Sequence, residues 1–304
     1  MTKRTFLQIY TLSLLLTGAC AKAAAPDAAP ASDAQNAAAD VQAALSDAAA
    51  ADTAGGDDTV DAAPIAAQDT AIDAAADVSA TVYNVVFFGN SYTYVNDLPT
   101  MVAKFAAEDG VTVKVDSWTG GGATMAALFL NVDVQKLLAK GGWTHVVLQG
   151  QSMETAYGPA YLLEYCKKFA DLIKPTAAKL VWYSTWPRKP GDPAYADQYA
   201  GGSPQKFAEI IAKVYQQAAD ANGGVRVHVT EAWAQVLAQH PEMNLYQADG
   251  SHPLPAGTYL VACVFAATVF GVQPLHVTWH PADVSDADAS ILRQVCAENS
   301  VQVP

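Results

Sequence analysis

Three unbroken apolar runs constrain the fold of this chain more than any other feature. They are Val-Val-Phe-Phe at 85–88, Val-Val-Leu at 146–148 and Leu-Val-Trp-Tyr at 180–183. Runs of this kind are typical of strands that are buried on both faces of a parallel sheet. Strands are predicted at 82–89, 111–118, 144–149, 179–185 and 225–230, and helical periodicity is found at 98–106, 124–139, 159–173, 204–221 and 255–270. This alternation predicts an α/β fold.

The predicted strands and helices all lie within residues 81–304, so one domain accommodates them. We predict a flavodoxin-like α/β/α sandwich with a five-stranded parallel sheet. In sheets of this kind, ligands bind beyond the carboxyl ends of the strands. Chemistry is therefore expected in the turns that follow the strands.

Residues 21–80 have a composition that cannot build a core. They contain 27 Ala and 11 Asp, with one Lys, no Arg, no Glu and no aromatic residue. Such a segment cannot bury enough apolar surface to offset the entropy lost on folding. We predict a disordered tether here.

Residues 1–20 have the pattern of an export signal. Lys3 and Arg4 precede a short apolar stretch, and small residues precede Cys20. This end resembles a bacterial lipobox, which implies a lipid on Cys20, although Thr17 stands where a lipobox prefers Leu. Ordinary secretory cleavage is the alternative. We expect an exported lipoprotein of the outer or inner membrane that faces the periplasm or cell surface, or else a secreted protein.

The charge of the domain argues against binding to nucleic acid. The tether carries 11 Asp against one Lys, and the signal adds two cations, so about −5 of the net −13 belongs to residues 81–304. A mildly acidic domain without a basic patch lacks the electrostatic attraction that phosphate backbones require. The only membrane contact expected is the N-terminal lipid.

Three cysteines follow Cys20. An exported domain can keep disulfides, and Cys263 with Cys296 is the preferred pair, which would leave Cys166 as a free buried thiol. The histidines other than His252 fit structural roles and share no metal-binding spacing with a carboxylate; they are His145 and His228 in predicted strands, His240, His276 and His280. No metal and no cofactor are expected.

Polar or glycine-rich turns follow three of the predicted strands. Ser91 follows the first strand, where a turn would expose its hydroxyl, although a helix cap would explain this segment alone. Gly120-Gly121-Gly122 follow the second and would let backbone N–H groups approach an oxyanion or a phosphate. Gln151 follows the third, and its amide could donate to developing negative charge. The P-loop lysine and the GxGxxG spacing of nucleotide sites are absent from the sequence.

Asp249 and His252 precede the last long predicted helix, three residues apart. On a tight turn these side chains can lie side by side. An Asp fixes the tautomer of a His and supports its positive charge, and the His can then take a proton from a serine hydroxyl. The pair therefore suits Ser91 as a nucleophile.

Four segments resemble the four sequence blocks of the SGNH/GDSL hydrolases, in the order of that family. They are FFGNSYTY, TGGGAT, LQGQS and DGSHPLPAGTYLVA, and they spread over nearly all of residues 83–265. The resemblance implies that Ser91 is the nucleophile, His252 the base and Asp249 the group that orients it. It also implies three oxyanion donors, the N–H groups of Ser91 and Gly122 and the side chain of Gln151.

Two residues depart from the commonest form of these blocks. Asn90 stands where that form has Asp, and Gln151 stands where it has Asn. Both are similar to a Gly-Asn-Ser branch of the superfamily. Because Gln is one methylene longer than Asn, the geometry of the oxyanion hole is the feature most affected.

We therefore predict a serine esterase that acts on a small-molecule or carbohydrate ester without a cofactor. An acetyl or other short acyl group on carbohydrate fits the envelope location. Trp182, Tyr183 and Trp186 could form an aromatic wall for a sugar, and a core position suits them equally well. The alternatives are a catalytically idle carbohydrate-binding protein and a structural envelope lipoprotein on the same fold.

Overall fold

The computed structural model of the protein describes residues 81–300. The predicted signal at 1–20, Cys20 and the predicted tether at 21–80 lie outside the described residues. Within 81–300, no helix combines the length and the apolar character needed to cross a membrane.

Five parallel strands form one sheet in the order β2-β1-β3-β4-β5. Their bounds are β1 Val82–Gly89, β2 Thr112–Thr119, β3 His145–Leu148, β4 Lys179–Tyr183 and β5 Val225–Val227. Every neighbouring pair is parallel. This is the strand order of a flavodoxin-like sheet, so the predicted fold class is confirmed. The order reverses beside β1, which is where such folds bind their ligands.

Helices cover both faces of the sheet. They are α1 Ser91–Tyr94, α2 Leu98–Ala107, α3 Met125–Phe129, α4 Val132–Ala139, α5 Glu154–Tyr157, α6 Pro159–Ile173, α7 Pro204–Asn222, α8 Val229–Gln239, α9 Pro255–Phe270 and α10 Asp286–Asn299. Alternate residues of β1 point to opposite cores, Val85 and Phe87 to one and Val86 and Phe88 to the other. The first core includes α2, α8, α9 and α10, and the second includes α3, α4, α6 and α7.

Two predicted elements differ from the structure. The helix predicted at 124–139 is two helices, because the Asn131 side chain accepts hydrogen bonds from the N–H groups of Asp133 and Val134 and so caps a new helix. The strand predicted at 225–230 ends at Val227, and α8 begins at Val229. His228 therefore lies at a helix start and not inside a strand, which corrects that prediction.

A disulfide joins the last two long helices. It links Cys263 in α9 to Cys296 in α10, and Cys166 is a free, buried thiol. Both predictions about these cysteines are confirmed. Because α9 is buried on nearly all sides, the disulfide fixes α10 to the centre of the first core.

Candidate active site

Ser91 is the first residue of α1 and directly follows the turn that ends β1. The Asn90 side chain accepts a hydrogen bond from the Tyr92 N–H at 3.1 Å and caps this short helix. Ser91 is half-buried. Within residues 81–300, no hydrogen bond uses the Ser91 N–H, so this donor is free to meet a developing negative charge.

Asp249 and His252 form the pair that their spacing predicts. The Asp249 carboxylate accepts from Nδ1 of His252 and from the backbone N–H groups of Ser251 at 2.9 Å and His252 at 3.0 Å. Burial alone would raise the pKa of Asp249, but these hydrogen bonds and the charge of His252 lower it to about 2. The carboxylate is therefore ionised at neutral pH, and Nε2 of His252 is the nitrogen left for proton transfer.

Tyr92 connects the serine turn to the histidine turn. Its hydroxyl lies 2.7 Å from Oγ of Ser251, and its ring meets the His252 ring edge-on, with centroids 6.0 Å apart. The same ring stacks on Trp186 at 4.2 Å, and the Trp186 indole N–H donates to the Ser251 carbonyl at 3.0 Å. The neighbours of Ser91 and His252 are thus packed together.

A strained turn after α1 makes a second connection. Asn96 and Asp97 adopt left-handed φ values of 56° and 52°, which non-glycine residues rarely adopt. Nδ2 of Asn96 donates to the Pro253 carbonyl at 3.0 Å and to Oγ1 of Thr258 at 2.8 Å. These bonds anchor the residue that follows His252.

The Ser91 hydroxyl and the His252 ring are not hydrogen-bonded to each other among the bonds that residues 81–300 make. Catalytic hydrogen bonds of this kind are often long until substrate binds. The structure therefore joins two members of the predicted triad directly and the third through Tyr92.

Asn90 ties together the three turns that carry the predicted oxyanion donors. Its Nδ2 donates to the carbonyls of Ala123 at 3.0 Å and Gly150 at 3.1 Å. Each of these carbonyls is one residue from a predicted donor, since Ala123 follows Gly122 and Gly150 precedes Gln151. The Asn90 N–H donates to Oε1 of Gln149 at 2.9 Å. Both Asn90 and Gln149 are buried.

Gly122 lies in the exposed turn between β2 and α3. Its φ of 68° is in the left-handed region, which glycine adopts without the penalty that other residues incur. No hydrogen bond within residues 81–300 uses its N–H. This backbone donor is available to a ligand, as the family resemblance implies.

The Gln151 side chain already makes two hydrogen bonds. Its Oε1 accepts from the Met153 N–H at 2.6 Å, and its Nε2 donates to Oγ of Ser152 at 3.2 Å. An amide nitrogen carries two hydrogens, so one remains for an oxyanion. The same bonds also hold the loop that follows β3.

Glu154 is a buried carboxylate that the sequence motifs do not single out. Its oxygens accept from the Met125 N–H at 3.0 Å and the Gln151 N–H at 2.9 Å, which joins the start of α3 to the third turn. Burial raises its pKa. The only feature of the sequence that points to this bridging role is the position of Glu154, three residues after Gln151.

Of the two roles considered for the aromatic residues around the end of β4, a wall for a sugar or a core position, the structure shows the core position. Trp182, Tyr183 and Trp186 are buried to 1% exposure or less and belong to the two cores. Two exposed tyrosines lie in the connections that follow β3 and β4, at the carboxyl edge of the sheet. Tyr157 and Tyr199 are 54% and 55% exposed and meet edge-on with ring centroids 6.1 Å apart.

The other histidines contact groups outside the candidate site. Burial, together with Lys179, lowers the pKa of His145 to about 4. The remaining four lie near charged partners: His228 near Arg226, His240 near Glu242, His276 near Asp109 and His280 near Asp286. A cavity of about 1420 Å³ opens at the opposite, amino edge of the sheet, between Tyr83, His145 and Val225, and it includes none of the predicted site residues.

Comparison with known proteins identifies the family. No protein-family model matches the chain, and no curated protein matches it. A candidate SGNH hydrolase from Slackia heliotrinireducens is 30% identical, with 62% of this chain and 99% of that protein covered and a TM-score of 0.52. A DUF4886 family protein from Bacteroides uniformis ATCC 8492 is 13% identical, with 72% and 94% covered and a TM-score of 0.61, and this likeness shows the fold alone. The chain belongs to the SGNH hydrolases.

Proposed function

We propose that this hydrolase is a serine esterase that uses Ser91, His252 and Asp249. The observation that carries the proposal is the Asp249–His252 hydrogen bond, in a turn that is packed against Tyr92, the residue next to Ser91. Asp249 fixes the tautomer of His252 by accepting from Nδ1, so Nε2 is available as the base.

The reaction proceeds in two halves. Oγ of Ser91 attacks the ester carbonyl carbon while its proton passes to Nε2 of His252, and the carbonyl oxygen becomes an oxyanion. The carbonyl then re-forms, the alcohol leaves with the proton from His252, and the acyl group stays on Ser91. Water attacks this acyl-serine, His252 takes the proton of the water, and the acid leaves as Ser91 regains its proton.

The oxyanion meets the N–H groups of Ser91 and Gly122 and the free hydrogen of the Gln151 amide. The first two donors make no hydrogen bond within residues 81–300, and the third retains one unused hydrogen. Preorganised donors of this kind stabilise the transition state because they need not reorganise as charge develops. Asn90 bridges the turns beside Gly122 and Gln151, which supports this set.

The substrate we favour is a short-acyl ester of a carbohydrate. The exposed pair Tyr157 and Tyr199 supports this, because Tyr157 ends the helix that begins three residues after Gln151 and Tyr199 lies in the loop after β4. Exposed aromatic rings at the edge of a site offer flat apolar faces with a polar tip, which suits stacking on a sugar ring.

The site of action we propose is the cell envelope. The disulfide between Cys263 and Cys296 supports export, because disulfides persist in oxidising compartments. Cleavage and lipidation at Cys20 would then hold the protein on a membrane. Labelling of cells with a radioactive fatty acid tests this step, and an unlabelled protein in the culture medium would favour simple secretion.

Replacement of the nucleophile tests the esterase directly. We expect Ser91→Ala to lower kcat on a para-nitrophenyl ester by several orders of magnitude, because the proposed mechanism forms the acyl intermediate on the Ser91 hydroxyl. Labelling by a fluorophosphonate probe should disappear in the same variant. Ser117→Ala, on the exposed edge strand β2, is the matched control and should label and turn over as the wild type does.

The same experiment separates the alternatives. A catalytically idle binding protein or a structural lipoprotein would not react with the probe at all. Activity of folded Ser91→Ala close to that of the wild type would mean that the nucleophile is another residue.

A further inference from the structure

Arg188 lies in a segment that runs beside the catalytic histidine turn. Before it, the Trp186 indole donates to the Ser251 carbonyl at 3.0 Å. After it, the Lys189 N–H donates to the Gly250 carbonyl at 2.8 Å. Arg188 is therefore held between two residues that are bonded to the turn ending in His252.

The guanidinium of Arg188 has few partners for its degree of burial. Its side chain is only 25% exposed, and its single hydrogen bond to residues 81–300 joins Nη1 to the Asp192 carboxylate at 3.4 Å. Its Nε is buried and has no partner within residues 81–300. A guanidinium carries five N–H donors, so most of them are unused.

Arg226 provides a comparison, because it is a buried arginine whose side-chain hydrogen bonds are made within the protein. Its Nε donates to Gln216 at 3.0 Å, and its two terminal nitrogens donate to both carboxylate oxygens of Glu231 at 3.1 and 2.7 Å. Buried charged groups are normally satisfied in this way. The unused donors of Arg188 call for a partner that is not part of the described chain.

We propose that Arg188 binds a carboxylate on the substrate, so that the preferred ester is an acidic one. This inference rests on the proposed esterase function and names the class of its substrate. A guanidinium fork matches a planar carboxylate with two parallel hydrogen bonds. Lys189 is the next residue and is exposed, which adds positive potential on the same side of the site.

The segment that carries Arg188 also packs beside the nucleophile, since Trp186, two residues earlier, stacks on Tyr92 at 4.2 Å. Burial raises the pKa of Tyr92, while the hydrogen bond with Ser251 and the positive charge of Arg188 oppose that rise. Because Tyr92 follows Ser91 and touches His252, a carboxylate bound to Arg188 would be close to the reacting ester. A monoanion also suits the site better than a dianion, since Asp192 stands beside Arg188.

Matched pairs of charged and neutral esters test the inference. The first pair is mono-para-nitrophenyl succinate and para-nitrophenyl butanoate, which differ in a carboxylate on the acyl part. The second is para-acetoxybenzoate and its methyl ester, which differ in a carboxylate on the alcohol part. The measurement is the ratio of kcat/KM for the charged ester to that for the neutral ester.

We expect Arg188→Gln to lower this ratio in one of the two pairs by about 10- to 100-fold, the loss that follows removal of a charge-assisted hydrogen bond. Arg188→Lys should lower it less, because the charge stays while the fork is lost. Asp192→Asn should leave the ratio unchanged or raise it, because the competing carboxylate is gone. The last two variants keep the test open if Arg188→Gln fails to fold.

A ratio within about threefold of wild type for both pairs in Arg188→Gln would overturn the inference, since a charge-assisted bond is worth more than that. So would an equal fall in Lys189→Gln, because the effect would then come from general positive potential. Failure of the esterase proposal looks different. In that case the wild type hydrolyses none of the four esters.

Discussion

The Gln151 side chain has two roles to distinguish, one as an oxyanion donor and one as a structural contact within the loop after β3. Its oxygen accepts from the Met153 N–H, and its nitrogen donates to Ser152 while keeping one hydrogen free. If that hydrogen meets the oxyanion, it must stabilise the transition state more than the bound substrate. The contribution should then appear in kcat and not in KM.

We expect Gln151→Ala to lower kcat by about 100- to 1,000-fold, roughly 2.7 to 4 kcal/mol, with little change in KM. Gln151→Glu should be at least as damaging, because a carboxylate offers no donor and repels the oxyanion. Steady-state kinetics and thermal melting of the same preparation give the two quantities needed. A variant that melts earlier but keeps kcat within a few fold would restrict Gln151 to holding the loop.

The contacts of Asn90 explain why Asn stands where the commonest family pattern has Asp. Its Nδ2 donates to two carbonyls, those of Ala123 and Gly150. An ionised Asp has no donor and would place a buried charge against two carbonyl oxygens. The sequence identifies Asn90 as a variant residue, but its role depends on contacts 33 and 60 residues away along the chain, which no local pattern encodes.

At the scale of elements, one carboxylate joins two short helices. Glu154, the first residue of α5, accepts from the N–H of Met125, the first residue of α3, and from the Gln151 N–H. Burial raises its pKa. The folded protein therefore binds a proton at Glu154 more readily than the unfolded chain does. The protonated side chain stabilises the fold at low pH, and this stabilisation is lost as pH rises through the raised pKa.

We expect Glu154→Gln to destabilise the protein by roughly 1 to 3 kcal/mol, because the amide places N–H donors where one carboxylate oxygen now accepts from the Met125 N–H at 3.2 Å. The difference from wild type should shrink as pH rises above the ordinary pKa of a glutamate and through the raised pKa of Glu154, because only the wild type then buries a charge. Urea unfolding across this range measures the difference. Glu209→Gln, on the exposed face of α7, is the control, and a difference independent of pH would contradict the assigned ionisation.

Elements with strong local signals were predictable, and those without were not. The bounds of β1, α6 and α9 match the predictions because buried runs and a proline at the helix start mark them. Helices α8 and α10 were missed. The first begins two residues after β5, so its apolar residues read as a continued strand, and the second is marked mainly by Ser285, whose side chain caps it.

At the scale of the whole molecule, chain topology explains how distant motifs form one site. The turns after β1, β2 and β3 meet because all strands are parallel and their carboxyl ends share one edge. The sequence predicts that these three turns meet, and it also predicts the Asp249–His252 pair. The buried position of Trp182, Tyr183 and Trp186 does not follow from the sequence, because the sequence cannot tell whether an aromatic residue at a strand end faces the solvent or a core. Arg188 carries no motif at all.

The same topology predicts that the segment before residue 81 is dispensable for catalysis. The chain enters the sheet at Val82, and the eight residues of β1 carry it about 26 Å, at roughly 3.3 Å per residue, to the edge where Ser91 lies. Whatever precedes residue 81 joins the domain at the opposite edge. We expect a protein that begins at residue 81 to keep kcat within about twofold of one that begins at residue 21, because no group of the site is removed. Esterase kinetics of both proteins, each shown to be folded by circular dichroism, make the comparison. A large loss of kcat in the folded shorter protein would mean that residues 21–80 reach across the domain and contribute to the site.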